Sequence, residues 1–260
     1  MKPDGLSAAT QGSFPKGVHM SNTVTNNAFA AILAGGTGTR MGNPDKPKQF
    51  LMLGNKPILA HTVEKFCATG LFDAVLVLCP QTWIRQTKDL LQKYAPEFSG
   101  STIVISGGET RNGTVMNAVS YLKEHFDTDD ATVLVTHDAV RPFVTHRIIE
   151  DNLRAAREHG ACDTVFPATD TIVESQDGAT VTSIPNRRHL YQGQTPQSFN
   201  LDKLQALMES LTAEEEAVLT DACKIFVLKG EAVELVSGSP SNMKITYPQD
   251  MRTAESLLGE

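Results

Sequence analysis

The apolar run Phe29 to Ala34 breaks off at Gly35-Gly36, and Gly38 and Gly42 follow at once, with Arg40, Lys46 and Lys48 interleaved. That order describes a buried strand emptying into a glycine-rich loop that carries cations. Glycines let backbone N–H groups turn towards an anion, and the cations add charge that peptide dipoles lack, so the loop suits a polyphosphate. Two common phosphate loops do not fit. Gly38 and Gly42 stand too close for a P-loop, and Asn43 follows where Lys is needed. Counting from Gly36 and Gly38, the third glycine of the dinucleotide fingerprint falls on Met41.

The same strand-then-helix grammar recurs down the chain. Ile58, Leu59, Thr62, Val63, Phe66 and Cys67 share a helical face after Pro57, and Gly70 closes that helix. Ala74 to Cys79 is a continuous apolar run, the pattern of a strand covered on both faces, and Pro80 opens a helix over Thr82 to Tyr94. Thr102 to Ser106 runs into Gly107-Gly108, after which Val115, Val119, Leu122 and Phe126 mark an amphipathic helix. Ala131 to Thr136 is a fourth strand, ending in His137-Asp138-Ala139-Val140-Arg141-Pro142, and its helix stops at Gly160. Four such units predict an α/β fold: a single doubly wound, mostly parallel sheet whose ligands lie beyond the carboxyl ends of its strands. The three unusual corners all fall on that edge.

Beyond Ala168 the regularity ends. Thr171 to Ser175 and Thr180 to Ile184 flank Gln176-Asp177-Gly178 and predict a protruding β-hairpin arm, about residues 170–190. Such a hairpin buries too little to stand alone, which points to a second subunit as its partner. An acidic helical stretch around Thr212 to Cys223, a strand at Ala232 to Val236 and a last helix from Pro248 complete the domain, residues 28–260. Residues 1–27 are polar, lack a signal-peptide core and read as a disordered leader, with Met20 a candidate start.

With a net charge of −7 the chain is a poor match for nucleic acid or a membrane surface, so local cations must hold any anionic ligand. Its cysteines, Cys67, Cys79, Cys162 and Cys223, form no C-x-x-C pair and read as buried free thiols. There is no apolar run of membrane-spanning length. A cytoplasmic protein is expected.

Asp138, ending a buried strand beside a phosphate loop, is placed either to hold Mg²⁺ or else to cap the next helix or pair with Arg141. Gly107-Gly108 suits either close backbone approach to a flat base, with the Thr114 hydroxyl next to it, or a plain helix-entry turn. His137 is read as structural, because an attacking phosphate needs no base.

In order along the chain, LAGGTGTRM with PKQF, GGETRNGTV, HDAVRP, Asp170-Thr171, NRRHLYQGQTPQ and NMK resemble the cytidylyltransferases of sugar-alcohol phosphates, which make CDP-methylerythritol and CDP-ribitol. The resemblance runs from Ala31 to about Pro248, and HDAVRPF and NRRHLYQGQTPQSF are more similar to the ribitol-5-phosphate enzymes. It implies a Rossmann-like nucleotidyltransferase fold, Mg²⁺ as cofactor, a homodimer, and CTP with a polyol phosphate as substrates. The implied reaction moves CMP from CTP to D-ribitol 5-phosphate, with 2-C-methyl-D-erythritol 4-phosphate as the alternative acceptor. Carried over residue by residue, it implies catalytic roles for Arg40, Lys48 and Lys244. Nucleotide binding falls to Ala34, Gly35, Gly36, Gly38, Gly107, Gly108, Glu109 and Thr114, where Glu109 departs from the family's usual Asp. Asp138, Arg141, Thr171, Arg187 and Thr195 would meet the acceptor, Asp138 also as metal ligand, with Thr171 and Arg187 on the arm that crosses to the other subunit. Two rival classes are a nicotinamide-dependent oxidoreductase, opposed by Met41, and a non-catalytic nucleotide-binding regulator.

Overall fold

A computed structural model describes residues 26–36, 38, 41, 46–219 and 221–259; Arg40, Met20 and residues 1–25 of the expected leader lie outside them. The predicted units are present: β1 (Ala28–Leu33), a small antiparallel pair β2 (Met52–Leu53) and β3 (Lys56–Pro57), α1 (Ile58–Cys67), β4 (Ala74–Cys79), α2 (Ile84–Tyr94), β5 (Thr102–Ser106), α3 (Arg111–His125), β6 (Val133–Asp138) and α4 (His146–His159). They continue into β7 (Ala161–Pro167), β8 (Tyr191–Asn200), α5 (Leu201–Glu209), α6 (Ala213–Ala217), α7 (Cys223–Leu228), β9 (Glu234–Ser237) and α8 (Pro248–Leu258). Among the described residues the main sheet has seven strands in the order β5-β4-β1-β6-β8-β7-β9, and only β8 runs antiparallel to its neighbours.

The apolar strands need cover on both faces, and the alternation of side chains supplies it. Ala28, Ala30 and Ile32 of β1 pack with Val75, Val77, Val133 and Val135 under α1 and α4, through Leu59, Val63, Phe66, Ile148 and Leu153. Phe29 and Ala31 turn the other way, with Leu76, Leu78 and Leu134, to meet Val115, Val119 and Leu122 of α3, Leu204 of α5 and Phe226 of α7. A third cluster joins Leu53, Ile58, Val140, Ile245 and Ala254, seating α8 over the corner after β6. The order of the first four parallel strands reverses between β1 and β6. That switch point opens a crevice at the carboxyl ends of both.

Four expectations change. Asn26 and Asn27 belong to the fold rather than the leader, since the Asn26 N–H donates to Asp73 Oδ1 at 2.9 Å and Asn27 pairs with Asp129. The acidic stretch splits into α6, capped by a Thr212–Glu215 capping box, and α7. The last strand begins at Glu234 instead of Ala232. The arm keeps its Asp177 turn, where the carboxylate accepts from the N–H groups of Ala179 and Thr180 at 2.8 Å, but its two strands reduce to one bridge, Glu174 to Ser183. Val173, Val181 and Ile184 are exposed, so within one chain the arm has no apolar cover to hold a longer ladder.

Candidate active site

The first wall of the crevice is the loop after β1. The Ala34 N–H donates to Leu78 O at 2.7 Å, and the buried Gln49 amide donates to Ala34 O at 2.6 Å, which fixes where the glycines begin. Gly38 has φ +73°, and a Cβ there would lie 2.9 Å from the Lys48 backbone nitrogen. Both facts require glycine, and they let the loop close onto Lys48. Lys48 is only 8% exposed, with its ammonium donating to Ile245 O at 3.0 Å. Its cation is therefore aimed by the chain that follows β9.

The second wall is the corner between β5 and α3. The Gly107 N–H donates to Cys79 O at 2.8 Å, and the Gly108 N–H donates to Thr114 Oγ1 at 3.0 Å. The Thr114 hydroxyl faces Thr110 O at 2.9 Å, so it holds the corner together while lining the crevice. A Cβ on Gly108 would meet the Gly113 carbonyl carbon at 2.5 Å. Thr110 caps α3 by accepting from the Gly113 N–H at 2.9 Å.

The floor is Asp138. Arg111 Nη1 reaches Oδ1 at 2.5 Å, while Lys244 Nζ at 3.0 Å and Arg141 Nε at 3.3 Å share Oδ2. Burial alone would raise this carboxyl, but Arg111, then Lys244 and Arg141, outweigh it and hold it well below the usual carboxylate range. Behind it, the Asp138 N–H donates to Thr195 Oγ1 at 3.1 Å, and Thr195 Oγ1 lies 3.0 Å from His137 Nδ1. The Thr195 hydroxyl has one proton and gives it to Nδ1, so Nε2 carries the ring proton and donates to Arg141 O at 3.1 Å. Burial pushes His137 down to about 3, so it is a neutral post under the site.

Ala34, Gly35, Gly36, Gly38, Lys48, Gly108, Glu109, Thr114, Asp138 and Lys244 thus line one cavity of about 350 Å³. Gly107 stands directly behind it, and Arg141 and Thr195 brace the floor from below. Thr171 and Arg187 are not brought there. Both are exposed on the arm, where Arg187 Nη1 donates to Thr169 O at 2.6 Å. Arg40 lies outside the described residues. Sequence reasoning passed over Arg111, the cation nearest Asp138; its signal was a positive side chain in the first turn of α3, where the helix dipole disfavours one. It also missed Gln49 within PKQF.

The donor set fits a hard cation in one form only. No three His, Cys, Asp or Glu side chains stand together among the described residues, so these offer no all-protein cage. Of the two carboxylates lining the cavity, Asp138 is the buried one, and a single carboxylate suffices for an ion such as Mg²⁺ when phosphate oxygens and water complete its shell. Among the described residues no helix is long and apolar enough to cross a membrane.

Comparison with known proteins agrees with this architecture. The family model described as "IspD: 2-C-methyl-D-erythritol 4-phosphate cytidylyltransferase" matches residues 28–260. A ribitol-5-phosphate cytidylyltransferase of Lactiplantibacillus plantarum is 50% identical over 230 residues, 88% of this chain and 97% of that protein. Among solved structures, the 4-diphosphocytidyl-2C-methyl-D-erythritol synthase of Anaerococcus prevotii has a TM-score of 0.73 at 26% identity, covering 90% of this chain and 96% of its own. The 2-C-methyl-D-erythritol 4-phosphate cytidylyltransferase of Francisella tularensis also has a TM-score of 0.73, at 27% identity, with 88% and 99% covered.

Proposed function

The chain belongs to the 2-C-methyl-D-erythritol 4-phosphate cytidylyltransferase (IspD) family, and on that premise we propose that it transfers CMP from CTP to D-ribitol 5-phosphate, giving CDP-ribitol and pyrophosphate. One observation carries the choice of acceptor: the 50% identity to a ribitol-5-phosphate cytidylyltransferase, against 26% and 27% to the methylerythritol enzymes.

An oxygen of the acceptor phosphate attacks the α-phosphorus of CTP, and the bond from that phosphorus to the bridging oxygen of pyrophosphate breaks. No proton has to move, because the attacking group is already an anion. The barrier is repulsion between two anions and the charge that gathers on the transferring group, so positioning and fixed cations supply the catalysis. Lys48 and Lys244 serve the α-phosphate, and Arg40 with the Gly35 to Gly38 loop grips the triphosphate. Gly107, Gly108, Glu109 and Thr114 shape the place for cytosine. Asp138 keeps Lys244, Arg111 and Arg141 gathered at the cavity floor and releases cations to the phosphates as they arrive. Mg²⁺ bound to Asp138 would supply further neutralisation of phosphate charge. Arg141 and the Thr195-His137 post set the acceptor side, and Thr171 and Arg187 complete it from a second copy of the chain in a homodimer.

Pyrophosphate release from CTP and magnesium with each polyol phosphate tests the reading. Fast release with D-ribitol 5-phosphate is expected; release with 2-C-methyl-D-erythritol 4-phosphate alone overturns the acceptor.

A further inference from the structure

Beyond Asp138 the sheet floor continues across two more strands, and it carries a second carboxylate that the transfer mechanism leaves unused. Gln197 of β8 is paired with Thr136 of β6 on one side and Asp163 of β7 on the other. Directly paired residues project from the same sheet face, and Asp138 and Thr136 share a face by the period of two. Asp163 and Gln197 therefore stand on the same sheet face as Asp138, the face covered by α3, whose first residue is Arg111, and, over β7, by α7. Two strand spacings put Asp163 roughly 10 Å across the floor from β6.

Neither group is satisfied by the fold. Gln197 Nε2 donates to Asp163 Oδ1 at 3.0 Å, but Gln197 Oε1 is buried without a hydrogen-bond partner. Asp163 makes no ion pair among the described residues, and its Oδ2 takes no hydrogen bond from them. That oxygen lies beside Gly193, where a Cβ would stand in ordinary contact with it at 3.8 Å. Burial pushes the Asp163 carboxyl up to about 6, against the pull of Gln197 and of Arg141 and Arg111, while Asp221 adds to the rise. A carboxylate kept for stability alone would be paired.

We propose that Asp163, braced by Gln197, determines acceptor specificity by accepting hydrogen bonds from hydroxyls at the end of the polyol chain remote from its phosphate. The inference rests on polyol-phosphate cytidylylation as proposed above. A carboxylate offers only acceptors, so it selects hydroxyl donors and repels the phosphate, which fixes the direction in which the acceptor lies. Arg111, Arg141 and Lys244 draw the phosphate to the Asp138 end. A shorter, methyl-branched acceptor brings one hydroxyl fewer to this carboxylate.

Asp163→Asn and Asp163→Ala, assayed as full chains with CTP and magnesium, test it. The expected result is a KM for D-ribitol 5-phosphate raised roughly tenfold or more, with the KM for CTP changed by less than about twofold. Asn still accepts from Gln197, so the melting temperature of Asp163→Asn should match or exceed that of the wild type at neutral pH, which a structural carboxylate would not allow. An unchanged acceptor KM overturns the inference, as does a parallel rise in both KM values with a lowered melting temperature. The wild type decides the underlying reading separately. If it turns over only 2-C-methyl-D-erythritol 4-phosphate, that acceptor replaces ribitol phosphate and the variants are judged on its KM; turnover of neither overturns both.

Discussion

Lys244 Nζ stands 3.0 Å from Asp138 Oδ2, joining the loop after β9 to the end of β6 across the cavity, and Arg111 and Arg141 converge on the same carboxylate. Three cations this close would repel one another without it. The carboxylate thus holds together the cations that the proposed reaction assigns to the phosphates. Such an arrangement needs little reorganisation when charge develops in the transition state.

Lys48 is the first test of that idea. Its ammonium is aimed by Ile245 O and sheltered by the Gly38 loop, so a replacement side chain cannot be compensated from solvent. Lys48→Ala is expected to lower kcat by at least tens-fold, since one aimed donor of this kind is worth roughly 2.7–4 kcal/mol in the transition state. Single-turnover pyrophosphate release measures it. A variant with wild-type kcat would remove Lys48 from the catalytic set.

Gly108 tests the cytosine corner. Its added methyl would collide with the carbonyl of Gly113, which is backbone and cannot swing aside, so the loop between β5 and α3 must shift. Gly108→Ala should cost about 1–3 kcal/mol of stability, as overpacking commonly does. Calorimetric titration should show weaker CTP binding with the same acceptor KM. Unaltered CTP affinity would mean that this corner does not meet the base.

Much of this site was legible in the sequence because loops that must bend sharply between buried strands leave glycines behind. Gly35, Gly38 and Gly108 announced two corners, and the apolar run before His137 announced the third. Strand β8 left no such trace. Tyr191 to Asn200 is mostly polar and shows no alternation, yet it lies between β6 and β7, with several of its buried polar groups bonded to other elements. Thr195 faces His137, Gln197 meets Asp163, and Ser198 Oγ donates to Asn152 Oδ1 at 3.2 Å. Burial there follows from side-chain partners supplied by distant elements, which periodicity cannot display. The arm failed in the opposite sense: its alternation was real, but nothing among the described residues covers it.

His137 carries a pH prediction with a definite sign. Its folded value, about 3, lies below the ordinary imidazole value, so the unfolded chain binds the extra proton first. Stability from this group is complete above about pH 6.5 and is lost as the pH falls towards 3. His137→Gln should be less stable than the wild type at neutral pH but should lose less melting temperature between neutral pH and pH 5. The acid limb of kcat/KM, set by the acceptor phosphate and by Asp163, both ionising near about pH 6, should persist in the variant. A limb that vanishes with His137 would make it a general base.

Ile184 tests whether the arm finds its cover on another copy. It is 63% exposed, and Val173 and Val181 on the same arm are open as well, while Arg187 is held away from the cavity by Thr169 O. An apolar arm carrying Arg187, the arginine proposed for the acceptor side, makes sense if a second chain buries the arm and uses the arginine. Ile184→Glu would place a charge in that contact at little cost to the single chain, where the side chain already faces water. Light scattering should find a dimer for the wild type and a monomer for the variant, together with a raised KM for the polyol phosphate and an unchanged affinity for CTP. A monomeric wild type with full turnover would show that Thr171 and Arg187 take no part in the reaction.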